Sequence, residues 1–295
     1  MKIINTYIGD DKYVPEYTEV CLRQARYFNP DTEIDFICKT KQSYFDELNI
    51  NWVPQDDIKG DLLVEFNDVC WFKREGVPQT TYPSKPLFWH RTAERIFYLQ
   101  QYIKDSQSKN VVHFENDNLI YGSVGALIMP NELCVVPVSP ILTGFGFCYF
   151  PDDIKFEALC KFMIDSLKLG ERELLSMGYD HIGEMSLLNL AFRNDMVKFL
   201  PIFPSMAGSN PISFDPASYG QFLAGNNNGD GPGFMNTHSG YFAAIALANG
   251  DIKLEFKDNK PTIHQTATEQ SCNLFNLHIH RKTLSDFAIP EVLND

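Results

Sequence analysis

The seven cysteines (Cys21, Cys38, Cys70, Cys134, Cys148, Cys160 and Cys272) form no C-x-x-C pair, and several lie inside apolar runs. Nothing argues for paired or oxidised thiols, so reduced cysteines in a cytoplasmic setting are expected. No stretch approaches the roughly eighteen uninterrupted apolar residues of a membrane-spanning helix. The apolar run in the opening MKIINTYIGDDK stops too soon for a signal peptide, so a soluble, unprocessed chain is expected. Positive charge is scarce. With 25 Lys and Arg against 38 Asp and Glu, the net charge of −13 opposes nucleic acid or an anionic membrane as the main partner. A polyphosphate ligand would need local cations or a metal. The first predicted strand is not followed by G-x-G-x-x-G: Gly9 stands before Asp10, Asp11 and Lys12, which supports no dinucleotide cofactor.

What is present begins as a βαβ unit: a strand over Lys2 to Gly9, a helix from about Glu16 to Tyr27 that stops before Asn29-Pro30, and a strand over Glu33 to Thr40. Residues 41–83 read as mixed loops around one amphipathic piece at Tyr44 to Leu48. The best helix signal runs from Ser84 to about Asp105, with Trp89, Ala93, Ile96, Leu99 and Ile103 on one stripe, Ser84 as cap and Pro86 in the first turn. Further strands are predicted at Glu132 to Val138 and Gly144 to Phe150, and helices at about Ile154 to Leu167, capped by Asp152, and at Met185 to Phe192. Residues 203–235, rich in Gly and Asn and without periodicity, read as a long loop and a flexible lid, in which Gln221 and Asn226 to Asn228 suit hydroxyl-rich ligands. The segment Asp251 to Ala267 alternates as a hairpin around Asp258-Asn259-Lys260.

The chemistry centres on VVHFENDNLIY, Val111 to Tyr121, where an apolar strand ends and presents Glu115 and Asp117 on either side of Asn116. Open α/β sheets bind ligands outside the carboxyl ends of their strands, and two carboxylates with one spacer can face a single hard cation, which can hold two oxygens of a diphosphate. A polar strand-to-turn junction is the other reading. His90, Arg91 and Arg95 fall within two helical turns just before this strand, placed either to meet phosphate or to form a surface network with Glu94. In LHIHRK, His278 and His280 share one face of an extended segment, followed by Arg281 and Lys282. Imidazole suits manganese or zinc, and the cations suit phosphate. Asp180, His181 and Glu184 cluster at a helix start, as caps or as catalytic groups.

Together, the βαβ opening, the Arg-bearing helix feeding HFENDN and the late LHIHRK resemble metal-dependent glycosyltransferases of the GT-A fold. The texture is closest to small capsule, lipopolysaccharide or giant-virus transferases and looser to glycogenin-like ones. The resemblance implies a single α/β domain over residues 1–295: a Rossmann-like mixed, mostly parallel sheet flanked by helices, with a C-terminal acceptor-side and lid region. Residues 1–121 would be the nucleotide-binding half and 122–295 the acceptor half, which includes the 276–287 segment. It implies that Glu115 and Asp117, with His278 or His280, bind Mn2+ or Mg2+. Lys282 would contact phosphate, with Arg91, Arg95 and Asn116 nearby, and Thr6, Tyr7 and Gly9 would lie under the base and ribose. The donor would be a nucleoside-diphosphate sugar and the acceptor a glycan or saccharide hydroxyl. In an inverting reaction Asp180, Glu184 or Asp215 would accept the hydroxyl proton; in a retaining one a phosphate oxygen could do so. This chain has Glu where the acidic pair commonly has Asp, and Glu184-Met185 where retaining members have D-Q. A nucleotidyltransferase of similar fold and a non-catalytic carbohydrate-binding or scaffold protein are the competing classes.

Overall fold

The structure is a computed structural model that describes residues 1–9, 14–73, 87–208 and 211–293. The elements in chain order are β1 (Lys2–Thr6), α1 (Tyr17–Phe28), β2 (Ile34–Cys38), β3 (Asn51–Pro54), α2 (Asp61–Val69), α3 (Phe88–Asp105), β4 (Val111–Phe114) and β5 (Asn118–Ile120). Then come β6 (Cys134–Ser139), β7 (Leu142–Phe150), α4 (Asp153–Leu169), α5 (Glu171–Ser176), α6 (Glu184–Arg193), β8 (Lys198–Phe199), β9 (Ile212–Ser213) and α7 (Ser218–Ala224). The chain closes with α8 (Phe242–Ala248), β10 (Ile252–Lys257), β11 (Lys260–Gln265), β12 (Gln270–Leu274), β13 (Asn276–His278) and α9 (Pro290–Leu293).

The central sheet has the order β3-β2-β1-β4-β7-β6-β8, and β7 alone runs against its neighbours. This is the mixed, mostly parallel α/β sheet flanked by helices that was expected. Its inner strands are apolar on both sides because both faces are covered. Successive residues of β1 show this: Ile3 enters one core with α1 and the C-terminal segments, and Ile4 enters the other with α2, α3, α4 and α6. Of the predicted α3 stripe, Ala93, Ile96, Leu99 and Ile103 are fully buried and Trp89 is partly buried. The predicted cap, Ser84 with Pro86, lies outside the described residues, as do Asp10, Asp11 and Lys12.

Two expectations are corrected. Residues 41–83 are not all loop, since they contain β3 and α2. The strand is a half-exposed edge strand with no clean alternation, and the helix starts at Gly60, which has no side chain to cap it, so neither leaves a strong mark in the sequence. The 203–235 segment is not one continuous loop, because it holds β9 and α7. Helix α7 forms among glycines because the Asp215 carboxylate accepts from the backbone N–H groups of Tyr219 (2.9 Å) and Gly220 (2.8 Å), capping the helix from outside. The β10–β11 hairpin turns as expected, with Asp258 and Asn259 both at positive φ, as a type I′ turn requires.

Candidate metal and phosphate site

Backbone pairing builds the site before any side chain acts. After β4 the Glu115 N–H donates to Gly146 O of β7 (3.0 Å), and the chain turns tightly, with Asn118 N–H donating to Glu115 O (3.0 Å). Strand β13 then pairs antiparallel with β5, setting His278 opposite Asn118, and Ile279 N–H donates to Asp117 O (2.8 Å). Buried amides lock this register: Asn276 Nδ2 donates to Asn118 Oδ1 (2.7 Å), and Asn118 Nδ2 donates to Gly146 O (2.8 Å). An imidazole encoded far along the chain is thereby fixed beside the acidic pair.

His278 Nε2 lies 3.0 Å from Glu115 Oε2 and 3.2 Å from Asp117 Oδ1. Ligand atoms of these three residues fall within 4.8 Å of one another. Two carboxylate oxygens and one imidazole nitrogen suit Mn2+ or Mg2+, and separations near 3 Å match those between adjacent ligands of an octahedral ion, whose bonds are roughly 2.1 Å long. The donor set therefore fits a divalent cation. Protein cations flank the group. Lys282 Nζ pairs with Asp117 Oδ2, and Arg95 pairs with Glu115 Oε1 and, at 2.8 Å, with Glu184 Oε1.

Burial pushes the Glu115 and Asp117 carboxyls up, but the surrounding cations outweigh it. Arg95 and His278 hold Glu115 below the usual carboxylate range, and His278 and Lys282 do the same for Asp117. Burial pulls His278 down, yet the two carboxylates raise it to about 10. Glu184 behaves differently. Burial, reinforced by the Glu115 charge, lifts it to about 7 against the pull of Arg95, and its Oε2 has no partner.

Several expected site residues sit elsewhere. His280 is close, its ring centroid 4.4 Å from that of His278, but it is not one of the three-residue ligand group; its Nδ1 faces Gln221 Nε2 at 2.6 Å. Burial, with the His278 charge beside it, pulls His280 down to about 3, so this ring is neutral and accepts from the amide. Alternation put both rings on one face, but β13 ends at His278 and the chain turns away. Arg91 is held by Glu94 at 2.5 Å. His90 turns inward, its Nδ1 3.4 Å from Cys70 Sγ and its Nε2 3.6 Å from Glu94. Asp180 is exposed on the turn before α6. Asp215 is buried and both of its oxygens are in use, since Oδ2 also accepts from the His278 N–H (2.9 Å). Through that bond it anchors the backbone of the residue that carries the imidazole.

At the end of β1, Thr6 O accepts from Asn116 Nδ2 (2.9 Å), while Thr6 Oγ1 and Asn116 Oδ1 are buried without a partner. The Tyr7 N–H donates to Ile37 O (2.8 Å), and Gly9 N–H donates to Gln55 Oε1 (3.3 Å). Sequence reasoning missed Asn118 and Asn276, whose roles follow from strand pairing, whereas Gly144 and Gly146 are expected from the sequence to permit close approach on their strand. A Cβ on Gly146 would come 2.9 Å from His278 Nδ1 and 3.3 Å from Glu115 Oε2. Gly146→Ala is expected to weaken Mn2+ binding about tenfold, or about 1.4 kcal/mol. An unchanged circular dichroism spectrum would accompany it; Mn2+ titration by electron paramagnetic resonance measures the loss.

No protein-family model matches the chain, and no curated protein matches it in sequence. Among solved structures, several glycosyltransferases are similar to it in part, at low identity. Mouse xyloside xylosyltransferase 1 aligns at 9% identity and a TM-score of 0.45, over 68% of this chain and 84% of that one. The galactosyltransferase LgtC, in complex with donor and acceptor sugar analogues, aligns at 14% and 0.41, over 71% and 79%. The glycosyltransferase GlyE of Streptococcus pneumoniae aligns at 13% and 0.40, over 68% of this chain but only 44% of its own length. No described helix is long and apolar enough to cross a membrane.

Proposed function

We propose that the protein is a metal-dependent glycosyltransferase that moves a sugar from a nucleoside-diphosphate sugar to a hydroxyl of a glycan or saccharide. The supporting observation is the convergence of Glu115, Asp117 and His278 at the carboxyl end of β4, flanked by Lys282 and Arg95. A bound Mn2+ or Mg2+ would hold two oxygens of the donor diphosphate and offset the charge that develops as it departs. Lys282 supplies a further cation on the same side. Thr6, Tyr7, Gly9 and Asn116 lie beneath the nucleotide in this reading, where the unpartnered Thr6 hydroxyl and Asn116 carbonyl offer hydrogen bonds to ribose or base. Glu184, poised near neutrality beside Arg95, is the carboxylate best placed to take a proton from an attacking hydroxyl. Residues 1–121 then serve the nucleotide and 122–295 the acceptor, with 276–287 crossing back to complete the metal group. All seven cysteines are unpaired thiols, which suits the cytoplasm.

One observation favours a non-catalytic carbohydrate-binding or scaffold protein: every acidic group of the cluster already has a protein cation beside it. The two readings separate in thermal denaturation with uridine or guanosine diphosphate, with and without Mn2+. A transferase is stabilised only when both are present, by about 2.7 kcal/mol at a hundredfold excess over Kd. Folded Glu115→Ala and Asp117→Ala proteins lose that stabilisation. A scaffold shows no shift under any condition.

A further inference from the structure

Lys282 stands in an unusual position. Its ammonium pairs with Asp117 Oδ2 while the other oxygen of that carboxylate faces His278. Its backbone is left-handed, with φ +64, in a turn closed by its own N–H on Ile279 O (2.9 Å). Few residues other than glycine or asparagine adopt that conformation unless the surroundings hold them there. The flanking cations also differ in freedom. Arg95 is only 13% exposed and is gripped by two carboxylates, whereas the Lys282 side chain is 32% exposed, with its ammonium 5.4 Å from the centre of the Tyr17 ring. Of the two, the Lys282 ammonium is the more accessible and has the fewer carboxylate partners.

We propose that Lys282 is a resident cation that competes with the metal for Asp117 and passes to the donor diphosphate when the metal arrives, so that metal and nucleotide bind cooperatively. This rests on reading the cluster as a metal and diphosphate centre. Lys282 sits against Asp117, Arg95 against Glu115 and Glu184, and His278 between Glu115 and Asp117, so every carboxylate of the centre has a cation beside it before any ligand enters. A dication alone must displace the ammonium or sit within a few ångströms of it, and like charges at that range repel strongly in a partly buried site. A diphosphate alone meets two carboxylates. When both enter, the diphosphate gives the displaced ammonium a new partner and the metal takes its place at Asp117. Each ligand lowers the cost of binding the other, and the coupling is reciprocal.

The test measures Mn2+ affinity from the paramagnetic resonance signal of the free ion, first without nucleotide and then with saturating uridine diphosphate, guanosine diphosphate being run in parallel and each corrected for Mn2+ bound by free nucleotide. Lys282→Met keeps the length of the side chain and removes its charge. It is expected to bind Mn2+ alone about tenfold more tightly than the unmodified protein, because the competitor is gone, and to lose at least about tenfold of the enhancement that nucleotide confers. Lys282→Arg keeps the charge and is expected to retain the original pattern. The handover is overturned if Lys282→Met binds Mn2+ alone no more tightly, or if it keeps the full nucleotide enhancement. If the unmodified protein binds Mn2+ and Asp117→Ala does not, while Lys282→Met binds it no more tightly, the handover is overturned and the metal site stands. Absence of Mn2+ binding in every protein and condition sinks the metal reading and the handover with it.

Discussion

Replacing Arg95 with methionine is expected to destabilise the protein by about 3–5 kcal/mol, the usual cost of leaving buried charge without its counterion. The side chains of Glu115 and Glu184 are 18% and 7% exposed, and each is paired with the Arg95 guanidinium, which also sits 5.3 Å from the centre of the Phe145 ring. Without the guanidinium, two carboxylates share a poorly hydrated space, and Glu184 has no other ion pair among the described residues. Urea denaturation at pH 8 in a chelator reads this directly, away from any metal contribution. Two companion variants show whether charge or shape is responsible. Arg95→Lys should recover only part of the loss, since one ammonium cannot bridge two carboxylates as a planar guanidinium does. The double variant Arg95→Met, Glu184→Gln should recover most of it, giving a large coupling energy in a double-mutant cycle. An additive double variant would mean that Arg95 acts only by filling space.

The second large effect concerns pH. The folded protein holds the Glu184 proton up to about pH 7, whereas an unfolded chain releases it near 4.5. Between these values the folded state binds more protons, so Glu184 costs stability as pH rises, and the cost is complete above about pH 7. Burial works the other way on His113, which is pulled down to about 4, and on His280, pulled down to about 3, so both favour the folded state as pH rises through the acid range. The Glu184 contribution is therefore read as a difference. Glu184→Gln minus the unmodified protein should be near zero at pH 4.5 and climb to roughly 3 kcal/mol in favour of Glu184→Gln at pH 7 and above. Arg95 keeps Glu115 as partner in this variant, so no new unpaired charge arises. A flat difference across pH 4.5–8 would show that Glu184 titrates as an ordinary carboxylate.

Much of the fold was legible because its inner elements have strong periodicity. The stripe on α3, the apolar VVHF before the acidic pair, the Asp152 cap, which accepts from Lys155 N at 2.8 Å, and the Asp258-Asn259 turn each carry a local physical signal. Elements stabilised mainly by distant partners carried none. Helix α7 depends on Asp215 and on a glycine, Gly220, where any Cβ would collide with the His278 carbonyl. In the cluster, the residue types Glu115, Asp117, His278, Lys282 and Arg95 could be picked out as chemistry-bearing. Their roles relative to one another could not, because they depend on the β13–β5 register and on Asn276 and Asn118, which read as ordinary polar residues. The anchoring contacts of Asp215 were hidden for the same reason: its three backbone donors are invisible until the chain is folded.

The short ladder between β5 and β13 also bears on how the protein is made. Lys282 meets Asp117 across 165 residues of chain, so the acidic half of the cluster leaves the ribosome long before the imidazole and ammonium that complete it. A nascent chain therefore displays Glu115 and Asp117 with Arg95 alone among their cations, and the cluster closes only when β13 has paired with β5.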